Sequence, residues 1–119
     1  MKTTSTQTLV PKGWGYEKWV TNTEKYCGKL LFFKKDKRCS WHYHKIKDEV
    51  FFIQSGRLQI FYGESDSLEE AQVIILEKGD SFHVKPDLRH QMLALEDTEM
   101  FEFSTQHFDE DSYRVVKGD

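Results

Sequence analysis

Proline is scarce in this chain: Pro11 and Pro86 are the only two in 119 residues. Cysteine is equally scarce. Cys27 and Cys39 form no CxxC pair, and a domain of this length has enough core to stand without a disulfide, so two reduced thiols in or near the core are expected. Long apolar runs are absent. The longest, Val50-Phe51-Phe52-Ile53 and Val73-Ile74-Ile75-Leu76, fall far short of the roughly 20 residues a bilayer-spanning helix needs. The first eight residues are polar and Thr-rich, without the apolar stretch of a signal peptide. No membrane partner and a cytoplasmic location are therefore expected. No basic block stands out either. The net charge is −3, from 17 basic and 20 acidic residues, so nucleic acid is not an expected partner. Finally, no convincing helical period of ten or more residues is present.

Aromatics, by contrast, are abundant. Nine Phe, five Tyr and three Trp make up 14% of the chain, and such residues favour strands and line the insides of small barrels. With 38% hydrophobic and 31% charged residues, the chain reads as one globular domain. Short apolar runs follow one another between turn signals: Lys29–Lys34, Ser40–His44, Glu49–Gln54, Arg57–Tyr62, Gln72–Leu76, Ser81–Val84, His90–Leu95 and Met100–Phe103. Ser55-Gly56, Lys78-Gly79-Asp80 and Lys85-Pro86-Asp87 punctuate them, and Gly63–Glu70 reads as an exposed loop with room for one helical turn. Many short strands with frequent turns predict an all-β sandwich or closed barrel. A single domain over 1–119 is expected, with an N-terminal arm at 1–24, the barrel at 25–105 and a charged C-terminal tail at 106–119.

The chemistry concentrates in His42-Tyr43-His44 and Glu49. Residues two apart on a strand share a face, so the two imidazoles aim together and suit a divalent transition metal. A turn over Lys45–Asp48 returns Glu49 beside them, on the face that Phe51 and Ile53 fill. A carboxylate buried there needs a partner, and a cation is the natural one. A lone HxH is an ordinary surface feature. The second element, Gly79-Asp80 through Arg89-His90, supplies a turn, a strand, another turn and a histidine that can face the first pair across a barrel. His42, His44, Glu49 and His90 are thus the candidate ligands of one divalent metal, with Mn, Fe, Co, Ni and Zn all suited.

Over residues 36–94 the chain resembles the cupin family. His42, His44, Glu49 and Gly56 follow the family's first motif, with Asp36 at the leading turn where Gly is usual; Gly79, Asp80 and His90 follow the second. Two departures stand out: Lys85-Pro86-Asp87 replaces Pro-x-Gly, and the Asn that often follows the last His is missing. The resemblance implies a single-domain cupin barrel, a double-stranded β-helix or jelly roll. A narrower resemblance, carried by Trp14-Gly15-Tyr16-Glu17, Ser55-Gly56, Glu102 and Asp109-Glu110-Asp111-Ser112-Tyr113-Arg114, is to the cupin domain of type II mannose-6-phosphate isomerases. It implies aldose–ketose isomerisation of a sugar or sugar phosphate. The nucleotidyltransferase domain that often precedes that cupin is not expected here.

In such a reaction the metal stabilises an enediolate while one base moves the proton between neighbouring carbons. The candidate bases are His83, Glu102 and His107. His83 points into the barrel if Phe82 and Val84 face outward, Glu102 alternates with Phe101 and Phe103, and His107 follows the last strand near a barrel mouth. A phosphate would need Lys45, Arg89 or Arg114, the last resting mainly on the resemblance. An iron-dependent dioxygenase and a non-catalytic carbohydrate- or metal-binding module are the alternatives. A homodimer is expected, because Trp14, Tyr16 and Trp19 lie outside the barrel motifs and Leu58, Ile60 and Tyr62 share one strand face that could receive them. The alternative is that the aromatic segment folds back over its own barrel.

Overall fold

The computed structural model describes residues 4 and 6–119; the start of the expected arm, at 1–3 and 5, lies outside the described residues. Among the described residues eleven strands form: β1 (Thr8–Lys12), β2 (Gly15–Asn22), β3 (Cys27–Phe33), β4 (Trp41–Tyr43), β5 (Glu49–Ser55), β6 (Arg57–Gly63), β7 (Gln72–Glu77), β8 (Ser81–Val84), β9 (Arg89–Ala94), β10 (Thr98–Ser104) and β11 (Tyr113–Val116). Two short 3₁₀ turns, Leu68–Glu70 and Asp109–Asp111, are the only helical pieces among the described residues. The strands build two antiparallel sheets, a six-stranded one in the order β1-β2-β3-β10-β5-β8 and a five-stranded one in the order β11-β4-β9-β6-β7. Their inner faces pack together in a jelly roll, as the short-strand pattern predicts.

Alternation writes the core. On β3, Lys29, Leu31 and Phe33 are buried while Leu30 and Phe32 are not; on β5 and β10 the buried sets are Glu49, Phe51 and Ile53, and Thr98, Met100 and Glu102. Leu58 and Ile60 of β6, Met92 and Ala94 of β9, and Leu76 of β7 close the apolar centre from the other sheet. Each buried aliphatic or aromatic side chain stabilises the fold by about 1.5–3 kcal/mol relative to exposure. The turns hold their chemistry too. Asp36 and Asp87 both sit in the left-handed region, at φ 70° and 73°, which Asp tolerates better than most residues. Gly56, at φ 93°, is required: a side chain there would collide with the Asp97 carbonyl and Thr98.

The ends depart from expectation. The N-terminal segment is a hairpin of the barrel itself, β2 pairing with β3 from Gly15↔Phe33 to Asn22↔Cys27. Trp14 is buried and stacks on Phe33 at 4.1 Å, and Tyr16 stacks on Phe32 at 5.4 Å. The segment therefore folds back over its own barrel, and the apolar patch expected to recruit a second subunit is already covered. Leu58 and Ile60, expected on an outer face, are fully buried in the core, because alternation along β6 turns them to the face that meets the other sheet. The C-terminal segment is likewise built in: β11 pairs with β4, Arg114 opposite His42. Cys27 and Cys39 are both free and buried. No helix among the described residues is long and apolar enough to cross a membrane.

Candidate metal centre

His42 and His90 stand directly opposite each other on the paired strands β4 and β9. His44 follows β4 with its ring on the same side, its centroid 5.2 Å from that of His42 and 5.7 Å from that of His90. One ring nitrogen from each of the three histidines lies within 4.8 Å of the others, so His42, His44 and His90 can hold a metal ion. Backbone carbonyls orient all three rings. The Nδ1 atoms of His42, His44 and His90 lie 2.8, 3.0 and 2.9 Å from the carbonyl oxygens of Ser40, Asp111 and Leu88. A carbonyl only accepts, so each Nδ1 carries the proton and each Nε2 keeps a free lone pair.

Those lone pairs meet Glu49. Its Oε2 lies 3.4 Å from His44 Nε2 and 3.6 Å from His90 Nε2, and neither Glu49 Oε2 nor His90 Nε2 has a hydrogen-bond partner. Two buried acceptors facing each other are costly unless a cation lies between them. Protonation follows the same logic. Burial, reinforced by neighbouring cationic groups, lowers the pKa of each histidine to about 3, so all three are neutral at physiological pH, the form that ligates metal. Burial, with the Glu102 charge behind it, pushes the Glu49 carboxyl up, and a bound cation would reverse that. The donor set fits a divalent transition metal.

Around this centre lies a cavity of about 520 Å³. Lys47, buried in the loop before Glu49, donates to Glu102 Oε2 at 2.9 Å and reaches within 4.0 Å of Glu49 Oε1. Burial alone would raise the Glu102 pKa, but the charges of Lys47 and Lys29 outweigh it and hold the carboxyl well below the usual range. Lys29, also buried, lies 3.5 Å from Glu17 and 4.4 Å from the centre of the Trp19 ring. His107 meets the edge of that ring, centroids 5.1 Å apart, and donates from Nε2 to Asp109 at 3.0 Å while its buried Nδ1 has no partner. Burial, aided by Lys47 and Lys29, lowers the His107 pKa, so this ring too is neutral with a free lone pair.

Glu102, His107 and Arg114 line this cavity together with the three histidines and Glu49. The other sequence candidates lie elsewhere. His83 faces solvent, 60% exposed and paired with Asp48 at 2.6 Å; the expected inward orientation is overturned because Val84, its neighbour, is the buried residue and alternation sends His83 outward. Lys45 is exposed and lies over the Tyr113 ring at 4.6 Å. Arg89 is held by Asp66 at 2.9 Å and stacks over Tyr43 at 3.7 Å. Neither lines the cavity: Arg89 precedes His90 on β9, so alternation turns it to the opposite face, and Lys45 sits in the loop after β4 with its side chain over Tyr113. Sequence reasoning missed Lys29, Lys47 and Asp111. The alternation Lys29-Leu31-Phe33 could have found the first; Lys47 sits in a loop and Asp111 in a single 3₁₀ turn, where no strand period reports a direction.

The matches to known proteins fall where this geometry leads. The cupin domain model, Cupin_2, matches residues 30–105. The chain belongs to the cupin family. Among solved structures this cupin is similar to the capsular polysaccharide assembling protein CapF from Staphylococcus aureus, with 18% identity and a TM-score of 0.80 over 95% of this chain and 33% of that one. It is similar to KdgF from Halomonas sp., at 20% identity and a TM-score of 0.68, covering 80% and 81% of the two chains. It is also similar to oxalate decarboxylase from Bacillus subtilis, at 14% identity and a TM-score of 0.79, covering 91% and 30%. The cupin thus spans about a third of CapF and of the decarboxylase, and identities this low carry the fold and not the reaction. No curated protein matches the sequence.

Proposed function

We propose that this cupin is a metal-dependent aldose–ketose isomerase of a sugar or sugar phosphate, with His42, His44, His90 and Glu49 as the four protein ligands. The observation that carries the reading is the orphaned pair Glu49 Oε2 and His90 Nε2, facing a cavity whose other wall offers a neutral imidazole with a free nitrogen. A divalent cation held by the four ligands would supply Lewis acidity toward a substrate carbonyl. His107 is then the base. Asp109 accepts a hydrogen bond from its Nε2–H, which fixes the tautomer and leaves Nδ1 to accept a proton from one carbon and return it to the next. Glu102 keeps its negative charge beside Lys47 and accepts from substrate hydroxyls, and Arg114 at the mouth receives an anionic substituent. A cytoplasmic setting agrees with the two free thiols. A homodimer belongs to the same reading, now supported by the outer face of the larger sheet, where Val50 and Phe103 are exposed.

The test is solvent deuterium exchange with metal-loaded protein on mannose 6-phosphate, fructose 6-phosphate and free pentoses, with oxygen uptake followed in parallel. Exchange at the carbon next to the carbonyl, abolished by chelation, is the expected result. Oxygen consumption without exchange would hand the site to the dioxygenase reading, and tight sugar binding with neither would leave a binding module.

A further inference from the structure

Asp111 lies in the 3₁₀ turn after the barrel's last long strand, and its carboxylate is 2% exposed. It accepts from three consecutive backbone N–H groups: Lys45 at 2.9 Å and Ile46 at 3.1 Å on Oδ1, and Ile46 at 3.2 Å and Lys47 at 3.0 Å on Oδ2. Successive N–H groups converging on one carboxylate form an anion-binding nest, with charge-assisted bonds stronger than neutral ones. The nest is the loop that separates His44 from Glu49 and carries Lys47. The same residue also acts through its main chain, since its carbonyl oxygen receives the Nδ1 proton of His44 at 3.0 Å. One residue therefore fixes both the path of the loop and the tautomer and aim of a ligand ring.

We infer that Asp111 is a positioning residue of the metal centre: its side chain locks the 45–47 loop so that its own carbonyl holds His44 with Nε2 turned toward Glu49. The other two histidines are oriented by carbonyls two residues away in sequence, Ser40 for His42 and Leu88 for His90. His44 alone depends on a carbonyl 67 residues distant, so its orientation must be secured by tertiary contacts, and the carboxylate supplies them. The C-terminal segment, outside the residues 30–105 that the cupin model matches, thereby completes the site. This inference rests on the metal reading only for its consequence; the orientation of His44 can be read without metal.

Two variants of the full chain test it, Asp111→Ala and Asp111→Asn. The second preserves size, but because both carboxylate oxygens accept backbone protons, either orientation of the amide places its NH₂ against N–H donors. In metal-free protein, nitrogen NMR of the imidazoles should show His44 protonated on Nδ1 in the wild type and a mixture of tautomers in both variants, with His42 and His90 unchanged. Zinc affinity by chelator competition should weaken about 10–100-fold, the range for losing a partner that orients a ligand. Met100→Ala, destabilised in the core away from the loop, should keep the wild-type affinity. A wild-type tautomer and affinity in either Asp111 variant overturns the assignment, as does an equal loss of affinity in Met100→Ala. Should Asp111→Ala fail to fold, Asp111→Asn decides alone. A wild type that takes up no metal would refute the metal reading, while the His44 tautomer would still decide the role of Asp111.

Discussion

The inner face of the larger sheet changes character along its length. Toward one end, β3, β10 and β5 present Phe33, Leu31, Met100 and Ile53; one register step further the same strands present Lys29 opposite Glu102, and then Glu49. The burial is equally complete at both ends, yet the physics is opposite. Apolar burial stabilises by about 25 cal/mol per Å² of surface removed from water. Burying Lys29, Lys47, Glu49 and Glu102 costs desolvation that their mutual attraction only offsets, so a well-packed apolar replacement would be neutral or better for stability. The first end holds the barrel together, and the second contributes little net stability, which fits the metal-binding role proposed for it.

Substitutions at the two ends should therefore behave differently. The largest effect is expected from His90→Ala, which should remove bound metal almost entirely by elemental analysis and erase the difference in Tm between metal-loaded and metal-free protein; full metal occupancy in this variant would remove the site. Next comes Lys47→Met. It strands the Glu102 charge in the interior and should cost about 3–5 kcal/mol in urea unfolding. Adding Glu102→Leu should recover most of that loss, and additive losses would mean the pair is not coupled. At the apolar end, Met100→Ala should cost about 2–5 kcal/mol with metal stoichiometry intact. The smallest effect belongs outside both ends. Arg57 and Glu77, 3.0 Å apart and largely exposed, should contribute no more than about 1 kcal/mol in a double-mutant cycle.

Acidity offers a further contrast. The His107 pKa lies below its ordinary value of 6.5, so the neutral form dominates at pH 7 and is lost as pH falls through the lowered value. Deuterium exchange should accordingly be flat near neutrality and decline toward acid with an inflection below 6.5. An inflection at or above 6.5 would exclude His107 as the base.

The fold and the centre of the site were legible because both follow period-two alternation. His42 and His44 are two apart, Glu49 shares the face of Phe51 and Ile53, and the turns at Gly79 and Asp87 bring His90 back; it returns on the strand beside β4, directly opposite His42, and it is Glu49 that faces them from the other sheet. The same rule applied with the wrong face inward misplaced His83, since nothing local says which side of Ser81–Val84 meets the core. Leu58 and Ile60 were misread for the same reason: alternation shows that they share a face of β6 but not that this face meets the core. Trp14 could not be placed without its partner, Phe33, nineteen residues away. Asp111 acts on a loop more than sixty residues distant, and a contact of that range leaves no trace in spacing.

The pairing of β11 on β4 has a kinetic consequence. Arg114, Lys117 and Asp119 form one wall of the cavity, and β11 is an exposed edge strand held mainly by its register with Trp41, His42 and Tyr43. Edge elements of this kind open locally at far lower free energy than the whole domain unfolds. For an ion or product held in this cavity, peeling of the strand would open an additional way out, so weakening the β11–β4 pairing should shorten its residence even with every ligand intact.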